Sequence, residues 1–168
     1  DLRHGRASTH VAFGEANAIL AGDSLHSLAF QSISEAANIS PTSKLRIINL
    51  LSKAAGWHGM SGGQCLDIEA EGKLLTLAEL KMLHAAKTGA LIKSALEVGA
   101  LCAEADTTST AYKAISEFGA KIGLAFQIVD DILDVTQTSE TLGKPAGSDA
   151  ALNKNTLHRL LGLDESKN

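Results

Sequence analysis

Apolar residues recur at three- to five-residue steps over residues 9–37, where Phe13, Ala16, Leu20, Ser24, Leu28 and Ile33 mark one helical face. Residues 40–43, with Pro41, supply a turn and an N-cap for a second helix carrying Leu45, Ile48 and Leu51. A glycine-rich stretch over residues 56–63 loosens the chain before a third short helix over residues 64–71. Thr76 reads as the N-cap of a fourth, long helix, because Glu79 stands three residues later and completes a capping box. That helix is predicted to run to about residue 102, and a fifth from residues 108–110 to about residue 136. Beyond it, residues 138–148 are polar and glycine-rich, and a short helix is expected around residues 156–161. No stretch alternates well enough for a strand, so the expected architecture is all-α. No internal repeat or long linker divides the chain, so a single domain is expected.

Composition agrees with the pattern. The chain of 168 residues is 45% apolar and 20% charged, enough apolar surface to build a core. There are 24 leucines against 4 valines, a bias toward helix over sheet. The only prolines are Pro41 and Pro145, so the long segment between them has no obligatory helix break. A net charge of −4 argues against nucleic acid or an anionic membrane surface as a partner. Cys65 and Cys102 form neither a disulfide framework nor a metal-ligand spacing, which points to a reducing compartment. No run reaches 18 apolar residues and no basic-apolar leader opens the chain, so the expected location is cytoplasmic. The chain starts at Asp1 without an initiator Met, and it is read as part of a longer protein.

Chemistry concentrates at Asp130, Asp131 and Asp134, around the apolar Ile132 and Leu133. On a helix Asp130 and Asp134 lie one turn apart and Asp131 within a turn of Asp134, so three carboxylates crowd one edge. Exposed like charges at this spacing repel by about 0.2–0.5 kcal/mol per pair. They also sit toward the helix C-terminus, where the macrodipole disfavours negative charge. A cation reverses both penalties, and oxygen ligands without His or Cys favour Mg²⁺. The bland alternative is a solvated acidic helix end. Gln127 stands one turn earlier on the same side, with Gly123 and Gly119 behind it. Each glycine costs about 1 kcal/mol in a helix interior relative to Ala, which implies the close approach of either a ligand or another helix.

Lys87 falls in the long helix on the stripe Leu80, His84, Leu91 and Val98. Such a lysine either recruits an anion or snorkels to solvent. His84 reads as a packed or partly exposed histidine. Lys144 and Lys154 follow the acidic motif in an irregular segment. Lysines beside carboxylate-held Mg²⁺ suit a polyphosphate. Gln64 and Asp67, three residues apart, read as a weak signal, as does the basic cluster Arg3, His4 and Arg6.

Taken in order, LRHGRASTH, AILAGDSL, GGQCLDIEAEGK, HAAKTGALI, GLAFQIVDDILDV, TLGKPAGSDAALNK and LLGL resemble the trans-isoprenyl diphosphate synthases. The resemblance is greatest to the bacterial farnesyl diphosphate synthase group. Any one of these elements is weak, whereas KTG, FQxxDDxxD and GKxxGxD in that order are specific. The resemblance implies the isoprenoid synthase fold, with helices around a central cavity, in a homodimer. It implies a prenyltransferase that condenses an allylic diphosphate with isopentenyl diphosphate, using Mg²⁺. Asp130, Asp131 and Asp134 match the second aspartate-rich, metal-binding motif, with Asp130 first among them. Lys87, Thr88, Gln127 and Lys144 match positions that contact the allylic diphosphate or its metals, and Lys154 matches a further lysine of the site. Lys87, Gln127, Asp130 and Lys144 are the implied catalytic set. Arg3 matches the first arginine of a pair, and His4 stands where the family has a second arginine for isopentenyl diphosphate.

On this reading residues 1–168 are the central catalytic part of one synthase domain, with N- and C-terminal helices missing and Asp1 the remnant of the first aspartate-rich motif. Ala7-Ser8 and Leu157-His158 also depart from the family pattern. The alternative is a non-catalytic helical homologue that partners an active synthase. A class I terpene cyclase shares the metal chemistry but does not match the KTG, GKxxGxD and Arg3 positions.

Overall fold

The structure, a computed structural model, describes residues 2–3, 5–136 and 156, without the side chains of Arg3, Asp134 and Val135. Seven α-helices account for most of it: α1 (Thr9–Phe13), α2 (Glu15–Glu35), α3 (Pro41–Ala55), α4 (Met60–Glu69), α5 (Leu77–His84), α6 (Ala90–Cys102) and α7 (Thr110–Thr136). The all-α expectation holds with one small correction. Strands β1 (Leu2–Arg3) and β2 (Arg6–Ala7) pair antiparallel, with Gly5 at φ 72° between them. Two-residue strands are too short to leave an alternating signature.

The caps read from sequence are present. Ser40 Oγ accepts from the Ser43 backbone N–H at 3.2 Å, with Pro41 in the first turn of α3. Thr76 Oγ1 accepts from the Glu79 N–H at 3.3 Å, while Glu79 Oε2 accepts from the Thr76 N–H at 2.8 Å. Three boundaries differ from expectation. The first helix breaks at Gly14, whose φ of 86° lies outside helical space, so α1 and α2 are separate. The third helix begins at Met60, drawing Gly62 and Gly63 into its first turns, where both are buried. The long fourth helix is interrupted at Ala85–Gly89 by a π turn, with α5 before it and α6 after. Apart from Thr156, which is buried and not helical, the helix expected at residues 156–161 lies outside the described residues.

Ile47 on α3, Leu80 on α5 and Leu101 on α6 are almost wholly enclosed, with α3 packed on α6 and α5 packed on the π turn, α4 and α7. Helix α6 packs between α3 and α7, and the π turn packs against α4 and α7. A carboxylate locks the α3–α6 contact. Glu104, just beyond α6 and at φ 55°, accepts from the Ser40 N–H (2.9 Å), the Ser40 hydroxyl (3.0 Å) and the Ser43 hydroxyl (2.8 Å). The Ser40 N–H, then the Ser43 and Ser40 hydroxyls, hold this carboxyl below its ordinary range. No helix among the described residues is long and apolar enough to cross a membrane.

Candidate functional site

The site is built on the π turn. An α-helix gives each N–H the carbonyl four residues back. A π turn widens that step by one residue, and such turns concentrate at functional positions. Here the turn carries Lys87 and Thr88, and glycines grip its backbone from two sides. A Cβ at Gly63 of α4 would lie 2.6 Å from Lys87 Cα, and one at Gly123 of α7 would lie 2.7 Å from Gly89 Cα. Both are far inside ordinary carbon–carbon contact at ~3.5–4.0 Å. Gly119, one turn back on α7, meets Lys93 Cα at 2.9 Å in the same sense. Of the two readings open for Gly119 and Gly123, close helix packing is the one the structure adopts.

Lys87 neither stands alone nor snorkels free. Its Nζ donates to Asp67 Oδ2 of α4 at 2.6 Å, with the two side chains 28% and 15% exposed. Beside it a cleft of about 460 Å³ is lined by Met60, Ser61, Gln64, Lys87 and Thr88. His84, the last residue before the π turn, is buried, and its Nδ1 has no hydrogen-bond partner among the described residues. Burial holds its pKa below the ordinary 6.5, with the Lys87 charge acting in the same direction and the Asp67 charge opposing.

Helix α7, which packs against the π turn, carries the acidic motif. Gln127, Asp130 and Asp131 follow Gly123 by four, seven and eight residues, so they share the face that meets the π turn. At 1.5 Å per residue the aspartates stand roughly 11 Å beyond the glycine contact. Asp131 is buried, at 6% exposure, while Gln127 and Asp130 are half-buried. The donor chemistry, oxygen only, suits a hard cation such as Mg²⁺. Among the described residues no three His, Cys, Asp or Glu side chains form a metal cluster. Asp134 lies on α7, but its side chain is outside the described residues, as are the side chain of Arg3 and all of His4, Lys144 and Lys154. Sequence reasoning treated Asp67 and Lys87 as unrelated signals, and their contact is the main feature it missed.

Comparisons with known proteins place the chain in a family. Residues 1–168 match the polyprenyl synthetase family, and the chain belongs to it. Farnesyl diphosphate synthase of Geobacillus stearothermophilus is 49% identical over 169 residues, covering 99% of this chain and 56% of that protein. Farnesyl diphosphate synthase of Escherichia coli K12 is 47% identical over the same shares. The chain thus spans about half the length of the curated relatives it matches. Among solved structures, geranyltransferase of Helicobacter pylori complexed with magnesium and isoprenyl diphosphate superposes with a TM-score of 0.89. It is 36% identical, over 99% of this chain and 54% of the other. The fold is the all-α fold of the isoprenyl diphosphate synthases.

Proposed function

We propose that the complete protein is a prenyltransferase of the farnesyl diphosphate synthase type, condensing dimethylallyl or geranyl diphosphate with isopentenyl diphosphate. Residues 1–168 are then the central catalytic part of one synthase domain. The observation that carries this reading is the π turn, which packs against the aspartate-bearing helix and holds the Lys87 ammonium at one cleft with Thr88 and Gln64.

In this mechanism Lys87, the Thr88 hydroxyl and the Gln127 amide meet the allylic diphosphate, with Lys144, Lys154 and Arg3 as further cationic contacts. Asp130, Asp131 and Asp134 would hold Mg²⁺, which would supply positive charge to offset that of the diphosphate leaving group. Pre-placed cations lower the barrier because they stand where charge develops. The C–O bond breaks with its electron pair going to diphosphate, and the allylic cation is attacked by the double bond of isopentenyl diphosphate. Proton loss to the departed diphosphate completes the 1′-4 condensation. Water must be kept out, and the apolar line Phe118, Ile122, Phe126 and Val129, exposed on α7, suits the wall of a central cavity. His4 takes the isopentenyl diphosphate position.

Helix α2 buries none of its residues, and Ile19, Leu20, Leu25 and Leu28 are exposed on it, which supports a homodimer built on that face. The protein is read as cytoplasmic, with isoprenyl diphosphates as its ligands. The non-catalytic partner is not favoured, since full-chain relatives are named farnesyl diphosphate synthases. In the complete protein Asp130→Ala is expected to abolish Mg²⁺-dependent condensation of geranyl with isopentenyl diphosphate, measured by product formation. Full retention of turnover would refute the assignment.

A further inference from the structure

Assigning Lys87 to the allylic diphosphate leaves its neighbours Asp67 and His84 without a task. A carboxylate beside a diphosphate is unfavourable on charge alone, so Asp67 calls for a reason. Its oxygen lies 2.6 Å from Lys87 Nζ, with both groups mostly shielded from water. We propose that Asp67 is a positioning residue for Lys87: it neutralises its own charge against the ammonium and holds that ammonium at the mouth of the cleft before substrate arrives. This inference rests on the reading that Lys87 meets the allylic diphosphate.

The chemistry of the contact supports the role. An ammonium carries three N–H donors, and one carboxylate oxygen uses one of them, leaving two for diphosphate oxygens. A lysine on four methylenes otherwise samples many rotamers, and each binding event has to order it again. The backbone is already fixed, because Gly63 abuts Lys87 Cα. What remains to be fixed is the side chain, and Asp67 sits on α4 four residues beyond Gly63, one turn along the same face. His84 completes the setting. It is buried, and that burial lowers its pKa, with the Asp67 charge opposing and the Lys87 charge acting in the same direction as burial. The exposed Glu69, on the same helix, lies with its carboxylate 3.8 Å from the Cys65 thiol and forms no ion pair with Lys87 among the described residues.

The test is steady-state kinetics of the complete protein with geranyl diphosphate varied at saturating isopentenyl diphosphate. Asp67→Asn is expected to raise KM for geranyl diphosphate about tenfold, the scale of one charge-assisted hydrogen bond, with kcat changing less. Asp67→Glu, which keeps the carboxylate, is expected to restore most of the loss, and Glu69→Gln to leave KM unchanged. A folded Asp67→Asn protein with unchanged KM overturns the proposal, as does Asp67→Glu behaving no better than Asp67→Asn. If Asp67→Asn does not fold, the lysine side-chain ¹H–¹⁵N spectrum of the unaltered protein decides. An exchange-protected ammonium signal that is lost in Lys87→Met supports the proposal, and its absence overturns it. The two levels of inference fail differently. If Lys87→Met leaves KM unchanged, the role of Lys87 itself falls, whereas a defective Lys87→Met beside a normal Asp67→Asn overturns the positioning role alone.

Discussion

Replacing Gly123 by Ala puts one methyl group between α7 and the π turn. The new Cβ would lie 2.7 Å from Gly89 Cα and 3.4 Å from Gly89 O. Ordinary contact needs ~3.5–4.0 Å between carbons, so the two backbones must part by about 1 Å. The obstructing atom is backbone on a second glycine, and no side chain can rotate out of the way. Overpacking of this kind costs about 1–3 kcal/mol, and a rigid neighbour places it near the top of that range. Against it stands a gain of about 1 kcal/mol from removing glycine inside a helix. The net expectation is a destabilisation of about 1–2 kcal/mol, read from urea unfolding of the complete protein. Gly99→Ala in α6 is the matched control. No atom of the described residues lies within 4 Å of its added Cβ, so the propensity gain of about 1 kcal/mol is expected alone. Because the displaced segment carries Lys87 and Thr88, kcat/KM in Gly123→Ala is also expected to fall, by up to about 10²-fold for a shift of this size. A Gly123→Ala protein as stable and as active as the parent would show that the close approach of α7 is not what the glycine provides.

Other expectations follow from single groups. Thr76→Ala removes the side-chain acceptor of the capping box and is expected to cost about 1 kcal/mol in urea unfolding, with activity retained. His84 has its pKa lowered in the folded state, so the unfolded chain binds the extra proton first as pH falls below about 6.5. Its contribution is therefore fully present above that pH and is lost toward the lower folded value. His84→Leu should flatten the decline in stability between pH 7.5 and pH 5.5, and parallel pH profiles for the two proteins would refute this. His4→Arg supplies a permanent charge and a bidentate fork, and is expected to lower KM for isopentenyl diphosphate, read from initial rates with that substrate varied.

Much of the helical frame was legible because its signals are local. Ser40 with Pro41, and Thr76 with Glu79, announce their helix starts within four residues, and both caps form. The acidic motif and KTG likewise declare themselves as contiguous strings. The rest was hidden for physical reasons. Gly14 ends a helix through a left-handed φ that apolar periodicity does not register. The π turn adds one residue to a turn without altering the composition that marks a helix. Gly63 and Gly123 act by what they leave empty, and the partners they admit lie 24 and 34 positions away along the chain. Asp67 and Lys87 are twenty residues apart on separate elements, so no spacing rule joins them. Only the packing of α4 on the π turn does.

The clasp between Glu104 and the start of α3 bears on how the fold is lost with time. It joins positions 64 and 61 residues apart in the chain, so the intervening α3–α6 segment must close into a loop before Ser40 and Ser43 reach the carboxylate. Closing a loop of that length costs chain entropy before the contact can form, which slows folding wherever the contact is part of the barrier. An interaction absent from the transition state slows unfolding without hastening folding. Glu104→Gln is therefore expected to speed unfolding more than it slows folding, read from stopped-flow urea jumps of the complete protein.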